Sequence, residues 1–516
     1  MTQNPDWTES HNPADPTALP IFGDPAPQRR GRVRGTFSMT PQDEAAATES
    51  NDEQPREPTS LRRAAQRHGS ELDWDLIATL RQQASERLST ALGEDRAHMP
   101  RDVQRERGRA IILELLNDES AARMTAGQDS WTLAEQGQMA KALDDALFGL
   151  GRLQPLVDND LVENIIIAGS QSVWLEYSDG RLVRGPAVAT NDQELIDFLV
   201  FLASRSESNP RPFSEAQPRL HMRLDGGARL AATAWVHPYP SVVIRRHRLR
   251  QVTLGDLVER GTLTATAASF LSAAVKAGKN IVVSGAQGAG KTTLVRALCA
   301  EIPRREIIGT FETEYELFLH ELKEQHDIVF PWEARPGSGE RGPDGRQAGE
   351  VTLSECLVDS FRFNLSRQIV GEVRGPEILA MFKAMESSNG SISTTHARNA
   401  VGALGKLVTC ALEAGPQITY DYSIRQIAAN VDIVVHVHLD KSPIGDDAYQ
   451  LARWVEEIIT VEPGERETGY SSQTVFKTHP GRREALPCVM PDEYRDLELW
   501  GFDLNAFYAQ NGEAAS

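Results

Sequence analysis

The chain has 516 residues, 25% of them charged and 40% hydrophobic, and carries a formal charge of −19 at pH 7. That length has room for about three domains, and that composition is ordinary for globular protein. So acidic a chain lacks the basic field of a DNA-coating surface, and its four cysteines, widely spaced and without a CxxC pair, exclude a disulfide framework and a paired-cysteine zinc site.

Residues 1–70 are rich in Pro, Asp, Glu, Ser and Thr, a composition that cannot offset the entropy of ordering, and are expected to be disordered. The island of Arg29, Arg30, Arg32 and Arg34 within them reads as a solvated charge run rather than a nucleic-acid or lipid contact. Over 71–147 the spacing turns helical, with Leu72, Leu76, Ile77 and Leu80, then Ile111, Ile112, Leu115 and Leu116. Pro100 and Gly127 punctuate the segment, which predicts a bundle of three or more helices. Residues 148–250 read as an α+β domain, with strands at 161–167, 172–177, 224–230 and 241–246, a turn at Ser178-Asp-Gly180 and a helix over 195–202.

Over 251–462 a capping signature, Thr253-Leu-Gly-Asp256, opens an alternation of helices with short apolar strands at 281–283, 306–311, 368–370, 391–394 and 433–437. Such alternation predicts a largely parallel sheet with helices on both faces, an α/β domain. Residues 336–349 read as a Gly/Pro/charge-rich loop. The extension 463–516 carries scattered aromatics (Tyr494, Trp500, Phe502, Phe507, Tyr508) without a period, and receives no role.

The sharpest local feature is Gly285, Ala286, Gln287, Gly288, Ala289, Gly290, Lys291, Thr292 and Thr293, placed between the apolar run 281–283 and a breaker-free helical stretch. Glycines there let backbone N–H groups curl around phosphate oxygens, and the new helix aims its positive end at them. Lys291 would reach the β- and γ-phosphates and Thr292 would place its hydroxyl on Mg²⁺, so ATP and Mg²⁺ are the expected ligands. Three later strand ends carry polar groups: Phe311-Glu-Thr-Glu-Tyr-Glu-Leu317, Glu372 with Arg374, and His396. In an open parallel sheet such strand ends converge on one crevice.

These segments resemble those of the ATPases that power type II and type IV secretion, type IV pili and conjugation, and among them the Flp-type (tight-adherence) pilus assembly branch. Ser284 to Thr293 is similar to that branch's phosphate loop, Val370-Gly-Glu-Val-Arg-Gly-Pro-Glu377 to its Walker B region, and Ser393-Thr-Thr-His-Ala397 to its histidine box. Gly149-Leu-Gly-Arg-Leu-Gln-Pro-Leu-Val157, Asp225-Gly-Gly-Ala-Arg229 and Val243-Ile-Arg245 resemble its N-terminal domain, and Trp332-Glu-Ala-Arg-Pro336 its arginine segment. The likeness covers about residues 145–462. It implies a RecA-like P-loop NTPase domain preceded by the α+β domain, with the helical bundle and tail outside the shared core.

The resemblance also implies roles. Glu312 would polarise the attacking water as general base, and Glu372 would hold Mg²⁺ or position the nucleophile, with an ion pair to Arg374 as the structural alternative. His396 would sense the γ-phosphate. Arg229 and Arg245 would close onto the nucleotide from the α+β domain. Thr313 stands where the family usually has Asp, Ser366 precedes Arg367 in place of another Asp, a family histidine is missing from 387–390, and Lys406 replaces a common arginine. The implied assembly is a homohexamer working on an inner-membrane platform protein, without direct nucleic-acid binding.

No apolar run approaches the ~20 residues of a membrane span, and the opening residues lack the basic start and apolar stretch of a secretory leader. The expected location is therefore cytoplasmic, at the inner face of the membrane through partners. A conjugative or type IV secretion ATPase, an ATP-gated scaffold with little turnover, and a nucleic-acid-binding regulator using the arginine island are the competing readings.

Overall fold

The first helices pack because their apolar residues recur every three or four positions and so share one face. In the computed structural model, which describes residues 72–93, 99–205, 212–246, 251–343, 345–387, 390–443, 449–464 and 469–514, α1 (Trp74–Leu92), α2 (Arg101–Thr125) and α3 (Leu133–Phe148) join Ile77, Leu80, Leu88, Ile112, Leu116 and Leu143 in one core. Asp73 caps α1, and Thr132 with Glu135 forms a capping box on α3. The expectation of disorder over 1–70 and the arginine island lie outside the described residues.

A short α4 (Gln154–Asp158) leads into a six-stranded antiparallel sheet of β1 (Val162–Ala168), β2 (Val173–Tyr177), β3 (Leu182–Arg184), β4 (Arg219–Arg223), β5 (Arg229–Thr233) and β6 (Ser241–Arg245), in the order β3-β2-β1-β6-β5-β4. Helix α5 (Asp192–Arg205) packs Leu195, Leu199 and Leu202 against Ile165, Leu220, Leu230 and Ile244 on one face. The pleat therefore turns Arg229 and Arg245 to the other face, and the register sets these two residues directly opposite each other. The strand expected over 224–230 is corrected. Gly226 and Gly227 both adopt φ +89°, which no extended run allows, so the chain turns there between β4 and β5.

The second sheet has nine strands, β17-β16-β15-β14-β7-β13-β12-β8-β9 in spatial order. After α6 (Leu254–Glu259) and α7 (Ala265–Lys276) come β7 (Ile281–Gly285), α8 (Lys291–Cys299), β8 (Ile307–Glu312), β9 (Ile328–Glu333), a ribbon β10–β11 (Ser338–Arg341, Gln347–Ala348), α9 (Leu353–Ser360), β12 (Arg367–Val370), α10 (Ile378–Ser387), β13 (Ile392–Thr395), α11 (Ala400–Leu412) and α12 (Tyr420–Asn430). The chain ends with β14 (Ile433–Pro443), β15 (Tyr449–Pro463), β16 (Tyr470–Thr478), β17 (Ala485–Pro487), a 3₁₀ segment (Asp492–Trp500) and α13 (Leu504–Ala514). Strands β14, β7, β13, β12, β8 and β9 run parallel. Ile281 and Val283 face the layer of α7 and α8, while Val282 faces that of α9 to α12.

Two segments depart from expectation. Within the segment expected as loop, Ser338–Arg341 and Gln347–Ala348 pair as a small antiparallel ribbon. The C-terminal aromatics, to which the sequence assigned nothing, close the sheet. β15, β16 and β17 add to it antiparallel, while Phe502 packs on Phe270 and Phe507 on Phe476 at ring separations of 5.5 and 5.4 Å. No helix among the described residues is long and apolar enough to cross a membrane.

Candidate active site

Strand β7 is buried along its whole length and ends at Gly285, where the loop must pass the neighbouring β14 closely. A Cβ on Gly285 would lie 2.5 Å from the Val437 carbonyl oxygen. Gly290, at φ +93°, starts α8 in the left-handed conformation that glycine adopts without strain. The loop amides and the helix N-terminus then face one space, the arrangement that holds phosphate.

Lys291 lies buried under this loop. Its ammonium donates to the carbonyls of Gly285 (3.2 Å) and Ala286 (3.0 Å) and lies 3.1 Å from His396 Nδ1. Burial pushes its pKa down to about 8, with Arg245 and Arg374 adding to the effect and Glu372 opposing it. Lysine only donates, so Nδ1 of His396 is the acceptor and its proton sits on Nε2, 2.8 Å from Glu372. Glu372 also binds Arg374 at 2.5 Å. Burial raises the Glu372 carboxyl, but Arg374, His396 and Lys291 outweigh it and hold it below the usual range. Burial and the Lys291 charge hold His396 below its ordinary pKa.

The acidic strand end divides into distinct positions. Glu312 is buried, with Oε1 accepting the amides of Glu316 (2.8 Å) and Leu317 (3.0 Å). Its Oε2 is buried without a hydrogen-bond partner, and burial pushes the carboxyl up to about 8 against the Leu317 amide and Arg296. A Cβ on Gly371 would lie 3.0 Å from Glu312 Cγ, so this carboxyl flanks the turn that presents Glu372. The acid that reaches the phosphate loop is Glu316, which accepts the Thr292 hydroxyl at 2.8 Å.

Arg229 spans from the α+β domain to this acidic segment, binding Glu314 at 2.6 Å and also Glu316. Arg245 lies opposite it in register. Like charges so placed repel, and burial together with Arg229 and Arg453 lowers the Arg245 pKa while Glu163 supports its charge. No hydrogen bond or ion pair within 4 Å fixes the Arg245 guanidinium among the described residues. Arg335, in the segment 332–336, instead donates to the Gly349 carbonyl at 2.8 Å and anchors the β10–β11 ribbon.

Sequence reasoning brought Lys291, Thr292, Glu372, His396, Arg229 and Arg245 to one region. It named the acidic segment 311–317 but gave a role in it only to Glu312, where the structure brings Glu314 and Glu316 to Arg229 and Glu316 to Thr292, and it missed Arg453, which had no signal. The residues fit a phosphate group: a buried ammonium held by neutral acceptors, an unpaired guanidinium and glycine-shaped backbone all favour an anion. The Thr292 hydroxyl and the Glu316 carboxylate, 2.8 Å apart, are hard oxygen donors of the kind Mg²⁺ takes, and such sites complete their shell with phosphate and water.

Fold and site together define a P-loop nucleoside triphosphatase. The family described as type II/IV secretion system protein matches residues 216–446. The type IV secretion system protein VirB11 of Brucella suis is 30% identical over 319 residues, 56% of this chain and 85% of that protein. The conjugal transfer protein TrbB of Rhizobium radiobacter is 29% identical over 235 residues, 45% of this chain and 64% of its own. The X-ray structure of the ATPase DotB of Yersinia pseudotuberculosis aligns with a TM-score of 0.43 and 14% identity, over 72% of this chain and 85% of that one. This chain belongs to the type II/IV secretion-system ATPase family, and it is an ATPase of a secretion machine.

Proposed function

We propose that the protein is a ring-forming motor that binds MgATP between its α+β and RecA-like domains and couples hydrolysis to assembly or export at the inner membrane. The observation that carries this reading is the Arg229 bridge. One arginine of the α+β domain holds Glu314 and Glu316, and Glu316 in turn holds Thr292 of the phosphate loop. A change at the phosphates therefore has a direct path to the other domain.

The loop amides and Lys291 bind the β- and γ-phosphates. Arg229 and Arg245 take up the phosphoryl charge as the domains close. Thr292 and Glu316, with Glu372, would hold Mg²⁺, which would neutralise charge at the phosphate oxygens. Glu312 Oε2, unpartnered, accepts the proton of the attacking water once the carboxyl, pushed up to about 8 by burial, has ionised. His396, set between Lys291 and Glu372, registers loss of the γ-phosphate.

The assembly proposed is a homohexamer on the cytoplasmic face of the membrane, acting on a platform protein of a Flp-type pilus. The names of the VirB11 and TrbB relatives favour a second reading of the cargo, type IV secretion or conjugation. The test is Mg²⁺-dependent ATP turnover across a protein concentration series, for wild type, Lys291→Ala and Arg229→Ala. Turnover that rises with assembly and falls at least about tenfold in both variants supports the motor, tenfold being about 1.4 kcal/mol of barrier. A wild type as inert as Lys291→Ala at every concentration would replace it with an ATP-gated scaffold.

A further inference from the structure

Arg453 is on β15, more than 160 residues after the phosphate loop, yet its Nε donates to the Gly288 carbonyl at 2.8 Å. Its stem runs beside Gly290, where an added Cβ would sit 3.6 Å from Arg453 Cδ. Its terminal nitrogen lies 3.7 Å from Glu163 on β1 of the α+β domain. Glu163 is also the carboxylate that supports the charge of Arg245. One acid therefore stands between an arginine that holds the loop and an arginine that faces it.

The peptide joining Gly288 to Ala289 is planar, with C=O and N–H pointing oppositely. An arginine that holds the Gly288 oxygen on the outside of the loop turns the Ala289 N–H inward, where it meets the Ala286 carbonyl at 3.3 Å. That long bond exchanges readily for a phosphate oxygen.

We propose that Arg453 is a positioning residue that sets the phosphate-loop backbone and, through Glu163, ties it to the domain carrying Arg229 and Arg245. When phosphoryl charge draws Arg245 away, Glu163 is left to Arg453 alone, so domain closure tightens the loop. A guanidinium is required because its Nε holds the Gly288 oxygen while a terminal nitrogen stays within ion-pair distance of Glu163, whereas one ammonium cannot span both.

The inference rests on the nucleotide reading of the loop, so the test separates the two. MgATP turnover and binding of a fluorescent ATP analogue are measured on the full-length chain for wild type, Lys291→Ala, Glu163→Gln, Arg453→Gln, Arg453→Lys and the double variant Glu163→Gln/Arg453→Gln. If Lys291→Ala binds the analogue as tightly as wild type, the nucleotide reading fails. If it loses binding, the site stands and Arg453 is judged on its own. Arg453→Gln should then lower kcat about tenfold, the weight of one charge-assisted hydrogen bond, with KM within about threefold because Lys291 and the loop amides remain. Arg453→Lys should lose as much. In the Glu163→Gln background the cost of Arg453→Gln should shrink to about threefold, since the link is already cut. An arginine that only braces β15 would cost the same in both backgrounds, and that result, or a kcat within twofold of wild type, overturns the proposal.

Discussion

Replacing Glu312 with glutamine should cost the protein its turnover and yet stabilise it increasingly as pH rises. In the fold the Glu312 carboxyl is 2% exposed, and burial outweighs its two amide donors and raises its pKa from 4.5 to about 8. The folded state thus keeps a proton that the unfolded chain releases above 4.5. The contribution of this group is full below about pH 4.5 and is lost as pH rises through about 8. Between pH 5 and pH 8 the loss comes to about 3–4 kcal/mol, at about 1.4 kcal/mol for each tenfold in proton affinity. Glutamine keeps an oxygen for the amides of Glu316 and Leu317 and has no proton to lose. Urea unfolding of both proteins at pH 5, 6, 7 and 8 should show the variant gaining on wild type by about that amount. Turnover should fall by about 10²–10⁴-fold, as expected for removal of a general base. Stability curves that stay parallel across this range would refute the burial argument, and near-wild-type turnover would remove Glu312 from the chemistry.

Gly285→Ala should destabilise the protein by about 1–3 kcal/mol, because φ is +156° and its new Cβ would meet the Val437 carbonyl at 2.5 Å; thermal unfolding checks this, and an unchanged Tm would contradict it. Phe507→Ala should cost about 3–5 kcal/mol, since the ring is fully buried against Phe476 and Phe502. A loss under about 1 kcal/mol in urea unfolding would mean that the C-terminal extension does not belong to the core. Lys291, pushed down to about 8, is half neutral at that pH, and an anionic phosphate restores its charge. ATP binding at pH 8 should therefore take up about half a proton through this group, seen as a difference in calorimetric enthalpy between buffers of unequal ionisation heat. Identical enthalpies would refute it.

Local matters were legible in the sequence: helices whose apolar residues recur at 3.6, strands whose runs are short and apolar, a glycine loop between strand and helix, and the cap at Thr253. These depend on neighbours within a few positions, so they can be read along the chain. Even there, apolar ends at Leu224 and Leu230 imitated a strand across a turn that two positive-φ glycines require. The remaining features depend on strand order and register, which bring together residues distant along the chain. Tyr494, Phe502 and Phe507 show no period because they pack from a 3₁₀ segment and a chain end onto α7 and β16, not along one amphipathic helix. Arg229 and Arg245 become a facing pair only through the β5–β6 register. Glu316 rather than Glu312 reaches Thr292 because Glu312 is turned back to hold the amides of its own loop. Arg453 meets Gly288 because β15 extends the sheet beyond β14, the neighbour of β7, a proximity that no short-range pattern in the sequence encodes.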